Sequence, residues 1–330
     1  METIGITLLL VVLFYLLGKS ADLVVESART FGKKFGIRLS FLGLILGFLT
    51  SLPELSIGVN AAASRHPDIS LGNLLGGVVV LFGLILGVSV IVERRIATNG
   101  GISGILPAIA YLFLPLLFGL DGTLSLVEGL ILMVAYCFIL VYFYRLGQPH
   151  NAVPHRLETS QGEILRIAFR GLVGIAVVVI ISHFIVNLTV SLLVAAGIPA
   201  FIAGLVIFSV GTNLPEIMVS IRSWAQHIRE LSLANLVGSA LANGFIAGLV
   251  ATLAPIVIVP PESFHSLAAV SAILLAALLG FWKSGRALTR REGIALVALY
   301  LVFVASQLFL ATAFSTPPGG AAHTPFDTIG

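Results

Sequence analysis

Two glutamates stand where a carboxylate has no easy solvent. Glu54 follows a proline in Thr50-Ser51-Leu52-Pro53-Glu54-Leu55, and Glu216 does so in Thr212-Asn213-Leu214-Pro215-Glu216-Ile217. Both segments lie inside long apolar runs. A carboxylate surrounded by hydrocarbon is costly and is by default a functional-site candidate. Two such groups brought together repel each other unless a proton or a cation intervenes. Proline lacks the N–H and clashes with the carbonyl four residues back. Each run is therefore expected to break, freeing carbonyls that include those of Thr50 and Thr212. Free carbonyls at membrane depth must face protein or a wet cavity. With the side chains of Ser51 and Asn213 they make an all-oxygen donor set. Such a set suits a hard cation, and Ca²⁺ takes about 6–8 oxygens at about 2.3–2.6 Å.

A second pair of segments follows each motif. Ser70-Leu71-Gly72-Asn73-Leu74-Leu75-Gly76-Gly77 aligns with Ser232-Leu233-Ala234-Asn235-Leu236-Val237-Gly238-Ser239. Asn73 and Asn235 have two open uses, lining the same cavity or bonding between helices. Gly76, Gly77 and Gly238 permit close helix approach. Ser239 and Asn243 share a helix face at i, i+4 and are candidate ligands. The plainer role for Thr50, Thr212, Ser51 and Asn213 is capping of a broken helix. For the glutamates it is a buried structural hydrogen bond. No Cys or His lies in these motifs, which disfavours a soft-metal site.

The elements that position these residues are membrane helices. Of 330 residues, 58% are hydrophobic and 10% charged, with a mean hydropathy of +1.09. Soluble domains carry roughly 25% charged residues, so a soluble enzyme, a nucleic-acid binder and a disordered chain are poor readings. A helix needs about 20 apolar residues to cross a bilayer core. Ten runs qualify: 3–28, 38–64, 70–92, 102–120, 124–146, 164–195, 200–225, 232–257, 264–282 and 292–314. The first has no basic leader and no small-residue cleavage site, so it reads as a span rather than a signal peptide.

Basic residues set the orientation. The connections after spans one, three, five, seven and nine, with adjoining helix ends, hold 16 of the 18 Lys and Arg; the alternate connections hold only Arg65. That alternation marks the cytoplasmic side, places both termini outside and fits an even span count. Lys19 and Asp22, within the first span, are expected to neutralise each other. Asp121 and Glu128 flank a span and read as interfacial. Cys137, alone in the chain and within an apolar run, reads as a small core residue.

The two halves repeat. The motifs above are offset by 162 residues, and upstream Gly36-Ile37 pairs with Gly197-Ile198, and Gly43 with Gly204, at 161. At that offset Asn187 is the counterpart of Glu26. A unit of five spans is odd, so the second copy must cross in the opposite sense. Inverted repeats of this kind are a transporter signature and place equivalent motifs face to face near the midplane. The expected organisation is a first five-helix repeat at 1–146, a polar cytoplasmic linker at 147–163, a second repeat at 164–314 and a disordered tail at 315–330. His150, His155 and His323 fall in the linker and tail and read as solvated.

The motifs TSLPEL with GNLLGG and TNLPEI with ANLVGSALAN resemble the cation/Ca²⁺ exchanger superfamily, in particular its prokaryotic Na⁺/Ca²⁺ exchanger type. The resemblance covers the chain to about residue 315. It implies an all-α, polytopic membrane protein of ten transmembrane helices in two inverted five-helix repeats. It also implies ion sites between spans two, three, seven and eight. Glu54 and Glu216 would be the Ca²⁺ carboxylates, also touched by Na⁺. Thr50 and Thr212 would give main-chain oxygens, Ser51 and Asn213 side-chain ligands, and Ser239 and Asn243 the outer positions. Leu49 departs from the family's glycine, which Gly211 keeps. Gly77 and Leu81 leave the first half with fewer side-chain ligands than the second.

The expected function is antiport of Ca²⁺, or a similar hard cation, against Na⁺ by alternating access. The rivals are a cation/H⁺ exchanger and a non-transporting membrane scaffold. The motifs offer no nucleophile–base pair, so no enzyme is expected. Expected partners are inorganic cations and the lipid bilayer, with no cofactor beyond the transported Ca²⁺ and Na⁺ and no nucleic acid. A monomer in a prokaryotic inner membrane is the expected state.

Overall fold

The computed structural model describes residues 2–35, 39–63, 67–98, 104–146, 161–195, 210–257, 261–285 and 287–314. Helix dominates. In chain order the elements are α1 Glu2–Phe35, α2 Leu39–Thr50, α3 Leu52–Ala63, α4 Pro67–Val79, a π-helical turn Val80–Ile85, α5 Leu86–Glu93, β1 Arg95–Ala97, α6 Leu106–Phe118, β2 Thr123–Leu124, α7 Leu126–Leu146, α8 Gln161–Ala195, α9 Leu214–Ala225, α10 Arg229–Leu253, β3 Ile256–Val257, α11 Pro261–Ser284, β4 Ala287–Thr289 and α12 Arg290–Phe314. Eight stretches among the described residues are long and apolar enough to cross a membrane. The fourth run is shorter, a helix ending at Phe118 and tightening into a 3₁₀ turn to Asp121. The first part of the seventh, the linker histidines and the tail lie outside the described residues, as does the side chain of Asn187.

The packing centres on α10. α10 is buried along most of its length and is crossed by α2, α7 and α9, while α1 lies along α8. The α2–α10 crossing is very close. A Cβ on Gly43 would stand 2.6 Å from Ala234 Cβ, and one on Gly238 would stand 2.5 Å from the Leu44 carbonyl oxygen. Small residues at this spacing let two backbones touch, the usual device of membrane helix pairs.

Four short strands, which apolar periodicity does not reveal, tie the helix ends. β1 pairs antiparallel with β4, and β2 with β3. The order strand, capping box, long helix occurs twice. Glu128 Oε2 accepts from the Ser125 N–H at 2.7 Å at the start of α7. Glu292 Oε2 accepts from the Thr289 N–H at 2.6 Å at the start of α12. In both the glutamate reaches back to the N–H three residues before it, the carboxylate half of a capping box. Asp121 does similar work, taking the Thr123 N–H at 2.9 Å beside Gly122, whose φ is +86°.

Charge is partitioned between the two ends. The β1–β4 ladder sits among Arg94, Arg95, Arg290 and Arg291. Among the described residues three ion pairs join different helices or their ends: Lys34 with Glu163, Asp22 with Arg222 at 3.6 Å, and Glu93 with Arg229 at 2.5 Å. This corrects the expected pairing of Lys19 with Asp22. The guanidinium of Arg222 takes Asp22 from the neighbouring helix, and Lys19 instead lies 5.8 Å over the Tyr15 ring. Cys137 is also corrected, being exposed on α7 rather than buried. Lipid is as apolar as a core, so an apolar run cannot distinguish the inner face of a membrane helix from the outer one.

Candidate cation site

Both Pro-Glu segments interrupt their helices. α2 stops at Thr50 and α3 starts at Leu52, with Ser51 as a turn. Thr212 and Asn213 turn before α9, where Asn213 is the N-cap residue at φ −88° without a side-chain cap bond. The interruption is short. The Ser51 N–H still reaches the Gly47 oxygen at 3.2 Å, the Leu55 N–H reaches Ser51 at 3.1 Å, and the Ile217 N–H reaches Asn213 at 3.0 Å. Pro53 and Pro215 donate nothing. The carbonyls of Leu49 and Gly211, four residues before the prolines, lack the helical donors that a non-proline residue would supply.

Both carboxylates are buried. Glu54 is 2% exposed and Glu216 fully buried, and each lies within electrostatic reach of the other. Each faces hydroxyls of the other half. The Thr212 side chain meets Glu54, while those of Thr50 and Ser51 meet Glu216. Ser239 Oγ stands 3.0 Å from Glu216 Oε1 and 3.0 Å from the Gly47 carbonyl oxygen. Its single proton serves one of the two at a time. Thr50 Oγ1 lies 3.1 Å and Ser51 Oγ 2.9 Å from that same carbonyl, and Thr50 Oγ1 lies 3.4 Å from Ser239 Oγ.

Five oxygens thus form one cluster: the Gly47 carbonyl, three hydroxyls and the Glu216 carboxylate. Gly47 is the member that sequence reading missed. Its signal was the Gly43–Gly47 spacing, one helical turn before the motif. Some oxygens of the candidate side chains have no donor. Glu54 Oε2, Glu216 Oε2 and Asn243 Oδ1 are buried with no hydrogen-bond partner. Buried polar atoms are paired in the great majority of cases, and an orphan calls for a bound ion, water or other explanation.

The opposite half differs. A Cβ on Gly77, the counterpart of Ser239, would stand 2.8 Å from Asn243 Nδ2 and 3.4 Å from Asn213 Nδ2. Two carboxamides therefore converge where the first half has no side chain. Asn243 Nδ2 also donates to the Leu74 carbonyl at 3.1 Å. Asn235 is fully buried with neither amide atom paired, and Asn73 keeps a buried, unpaired Oδ1. Neither asparagine hydrogen-bonds a carboxylate among the described residues. No group of three His, Cys, Asp or Glu converges among the described residues. A cation here would be held by two carboxylates and neutral oxygens, which suits Na⁺ or Ca²⁺ better than a transition metal.

Membrane-length helices around a buried acidic pair define a polytopic membrane protein with a charged centre. The family model for the sodium/calcium exchanger protein matches residues 5–145 and 168–309, and the chain belongs to that family. The sodium/calcium exchanger MaX1 of Methanosarcina acetivorans is 25% identical, over 94% of this chain and 100% of the relative. The inner membrane protein YrbG of Escherichia coli is 25% identical, over 92% and 97%. Among solved structures, the sodium-calcium exchanger NCX_Mj soaked with 10 mM Na⁺ and zero Ca²⁺ has the same fold. The TM-score is 0.79 at 23% identity, over 92% of this chain and 98% of that one. These relatives are similar along nearly their whole length, and none of their names describes an enzyme.

Proposed function

We propose that the protein is a cation antiporter that exchanges Ca²⁺, or a similar hard cation, against Na⁺ at one site centred on Glu54 and Glu216. The carrying observation is the reciprocal placement of the two halves, in which each carboxylate faces hydroxyls of the other. Ca²⁺ sits between the carboxylates, with the Thr50 and Thr212 carbonyls and the neighbouring hydroxyls completing its shell. Na⁺ competes for the same oxygens and occupies the cluster around the Gly47 carbonyl. Ser51, Asn213, Ser239 and Asn243 are side-chain ligands, and Asn73 and Asn235 line the approaches.

The architecture behind this reading is ten spans in two inverted repeats. The duplicated strand, capping box and helix at 123–146 and 287–314 support it, as does the 162-residue motif offset. Nearly equal halves of opposite sense supply two nearly equal packings, one open to each side. Family membership and the relatives' names support the ion pair. The basic face is cytoplasmic by the positive-inside rule, both termini lie outside, and the membrane is a prokaryotic inner membrane.

The test is reconstitution into liposomes with imposed ion gradients. An outward Na⁺ gradient drives uptake of radiolabelled Ca²⁺. Absence of such uptake, with flux following a pH gradient in Na⁺-free buffer, overturns Na⁺ coupling. No flux under any gradient overturns the antiporter.

A further inference from the structure

Two hydrogen bonds set the register of the antiparallel pair α9 and α10. Ser239 Oγ is 3.0 Å from Glu216 Oε1, and Trp224 Nε1 donates to Ser232 Oγ at 2.8 Å. Ser220 lies one turn from Glu216 towards Trp224, and Asn235 lies one turn from Ser239 towards Ser232. Residues four apart share a helix face, so Ser220 and Asn235 form the rung between those two bonds. That rung is wholly buried, both residues being 0% exposed. Its polar atoms nevertheless have no partners: Ser220 Oγ, Asn235 Nδ2 and Asn235 Oδ1 are all orphaned. Ser223, next on the face of α9, is also fully buried with Oγ unpaired.

A dry helix seam would bury apolar groups here, because a buried polar atom without a partner gives up its hydration and gains nothing in return. The counterparts in the first half are Gly58 for Ser220, an alanine at position 61 for Ser223, and Asn73 for Asn235. A Cβ on Gly58 would stand 2.9 Å from Val250 Cγ2, 3.1 Å from Ser70 Oγ and 3.2 Å from Ile246 Cγ2, so two methyl groups crowd the place that Ser220 holds in the second half. The polar seam runs from Glu216 past Ser223 to the chain turn at 226–228, beside the Arg229–Glu93 ion pair. At 1.5 Å per residue, the ten residues from Glu216 to Gln226 span about 15 Å, half of a bilayer core of about 30 Å.

We propose that Ser220, Ser223 and Asn235 form a hydrated staging site, where a hard cation that still holds some of its water pauses between the basic face and Glu216. The site rests on the antiporter reading for its cargo. Three neutral oxygens bind weakly, as a transit position must, and the carboxamide N–H orients a retained water. The first half keeps the asparagine, Asn73, but has neither serine, so the three-oxygen staging site serves one face of the membrane only.

Cysteine accessibility tests this without requiring exchange. In a Cys137→Ala background, Ser220→Cys and Ser223→Cys are placed separately in oriented proteoliposomes, and a membrane-impermeant thiol reagent is added to one side. Both positions react from the basic face, and Ca²⁺ slows the reaction. Failure of both folded variants to react from that face in Na⁺, Ca²⁺ and cation-free buffers overturns the proposal, as does faster reaction from the opposite face. A second arm uses flux. Asn235→Leu raises the apparent KM for Ca²⁺ presented at the basic face by about tenfold, the loss of one ligand's hydrogen-bond energy, and leaves the opposite-face KM unchanged. Equal changes at both faces overturn it. Wild-type vesicles without Na⁺-driven Ca²⁺ flux would refute the antiporter reading instead, while the labelling arm still decides the staging site.

Discussion

Ser239 and Gly47 belong to different halves of the chain, yet the serine hydroxyl lies 3.0 Å from the glycine carbonyl oxygen, at the point where α10 and α2 touch. The same hydroxyl reaches Glu216. Close backbone approach and site assembly are therefore one event. A Cβ at residue 47 would stand 2.5 Å from the Asn235 carbonyl oxygen and 2.6 Å from the Gly238 carbonyl carbon. Those neighbours are backbone and cannot rotate away.

Gly47→Ala is accordingly expected to part α2 from α10 and to lower stability by about 1–3 kcal/mol, the usual range for overpacking. Thermal unfolding in detergent reads this as a lowered Tm. Gly72→Ala is the control, since nothing lies within 4 Å of its added methyl. Equal Tm values for the two variants would contradict the tight crossing.

Ser239→Ala removes one oxygen from the five-membered cluster without altering the crossing. One neutral hydrogen bond is worth about 0.5–1.5 kcal/mol net, so Na⁺ competition against Ca²⁺ should weaken by about threefold to tenfold. The readout is the Na⁺ concentration that halves Ca²⁺ flux. Gly77→Ala, at the counterpart position, should disturb Asn243 rather than remove a ligand, because Asn243 Nδ2 stands 2.8 Å from the added Cβ. A flexible amide can give way, so Na⁺ competition should change less than in Ser239→Ala.

Much of this centre was legible in sequence because proline and glutamate are so out of place in apolar runs. The turns at Ser51 and at 212–213 follow from prolines whose missing N–H groups end the helical ladder. Ser239 was found because it shares a helix face with Asn243. Ser220 and Ser223 were not singled out, although their i+4 and i+7 spacing from Glu216 puts them on its face. A serine in a membrane helix carries little signal by itself, and its importance came from the facing asparagine. The strand ladders are only two or three residues long, too short to show a period. The partner of Asp22 depended on which helix approaches α1, which local spacing cannot specify.

The Asp22–Arg222 pair should contribute little to stability. Both side chains are about one-third exposed and the separation is 3.6 Å, so solvent screens them, and exposed pairs are worth about 0–1 kcal/mol. Asp22→Asn should shift Tm slightly at low salt and not measurably at about 1 M salt, where the Debye length is about 3 Å. A large, salt-independent loss would mean that Arg222, whose Nε is buried without a partner, depends on Asp22 for burial.

Glu54 and Glu216 make the opposite prediction, since two facing carboxylates out of water oppose folding until a cation joins them. In a buffer holding only a bulky organic cation, Glu54→Gln and Glu216→Gln should each unfold at a higher temperature than the wild type. Adding Ca²⁺ should reverse the order. A ligand that binds only the folded state stabilises it by about 2.7 kcal/mol at one hundred times its Kd, and the wild type alone has both carboxylates to hold it. Loss of one charged ligand costs about 1.5–3 kcal/mol, so each variant should bind Ca²⁺ roughly 10- to 100-fold more weakly and lose Na⁺-driven flux. The pattern of Tm against Ca²⁺ separates a ligand from a scaffold. A glutamine variant that gains as much Tm from Ca²⁺ as the wild type would show that its carboxylate does not touch the ion. A wild type more stable than both variants without any small cation would show that the protein neutralises the pair from within.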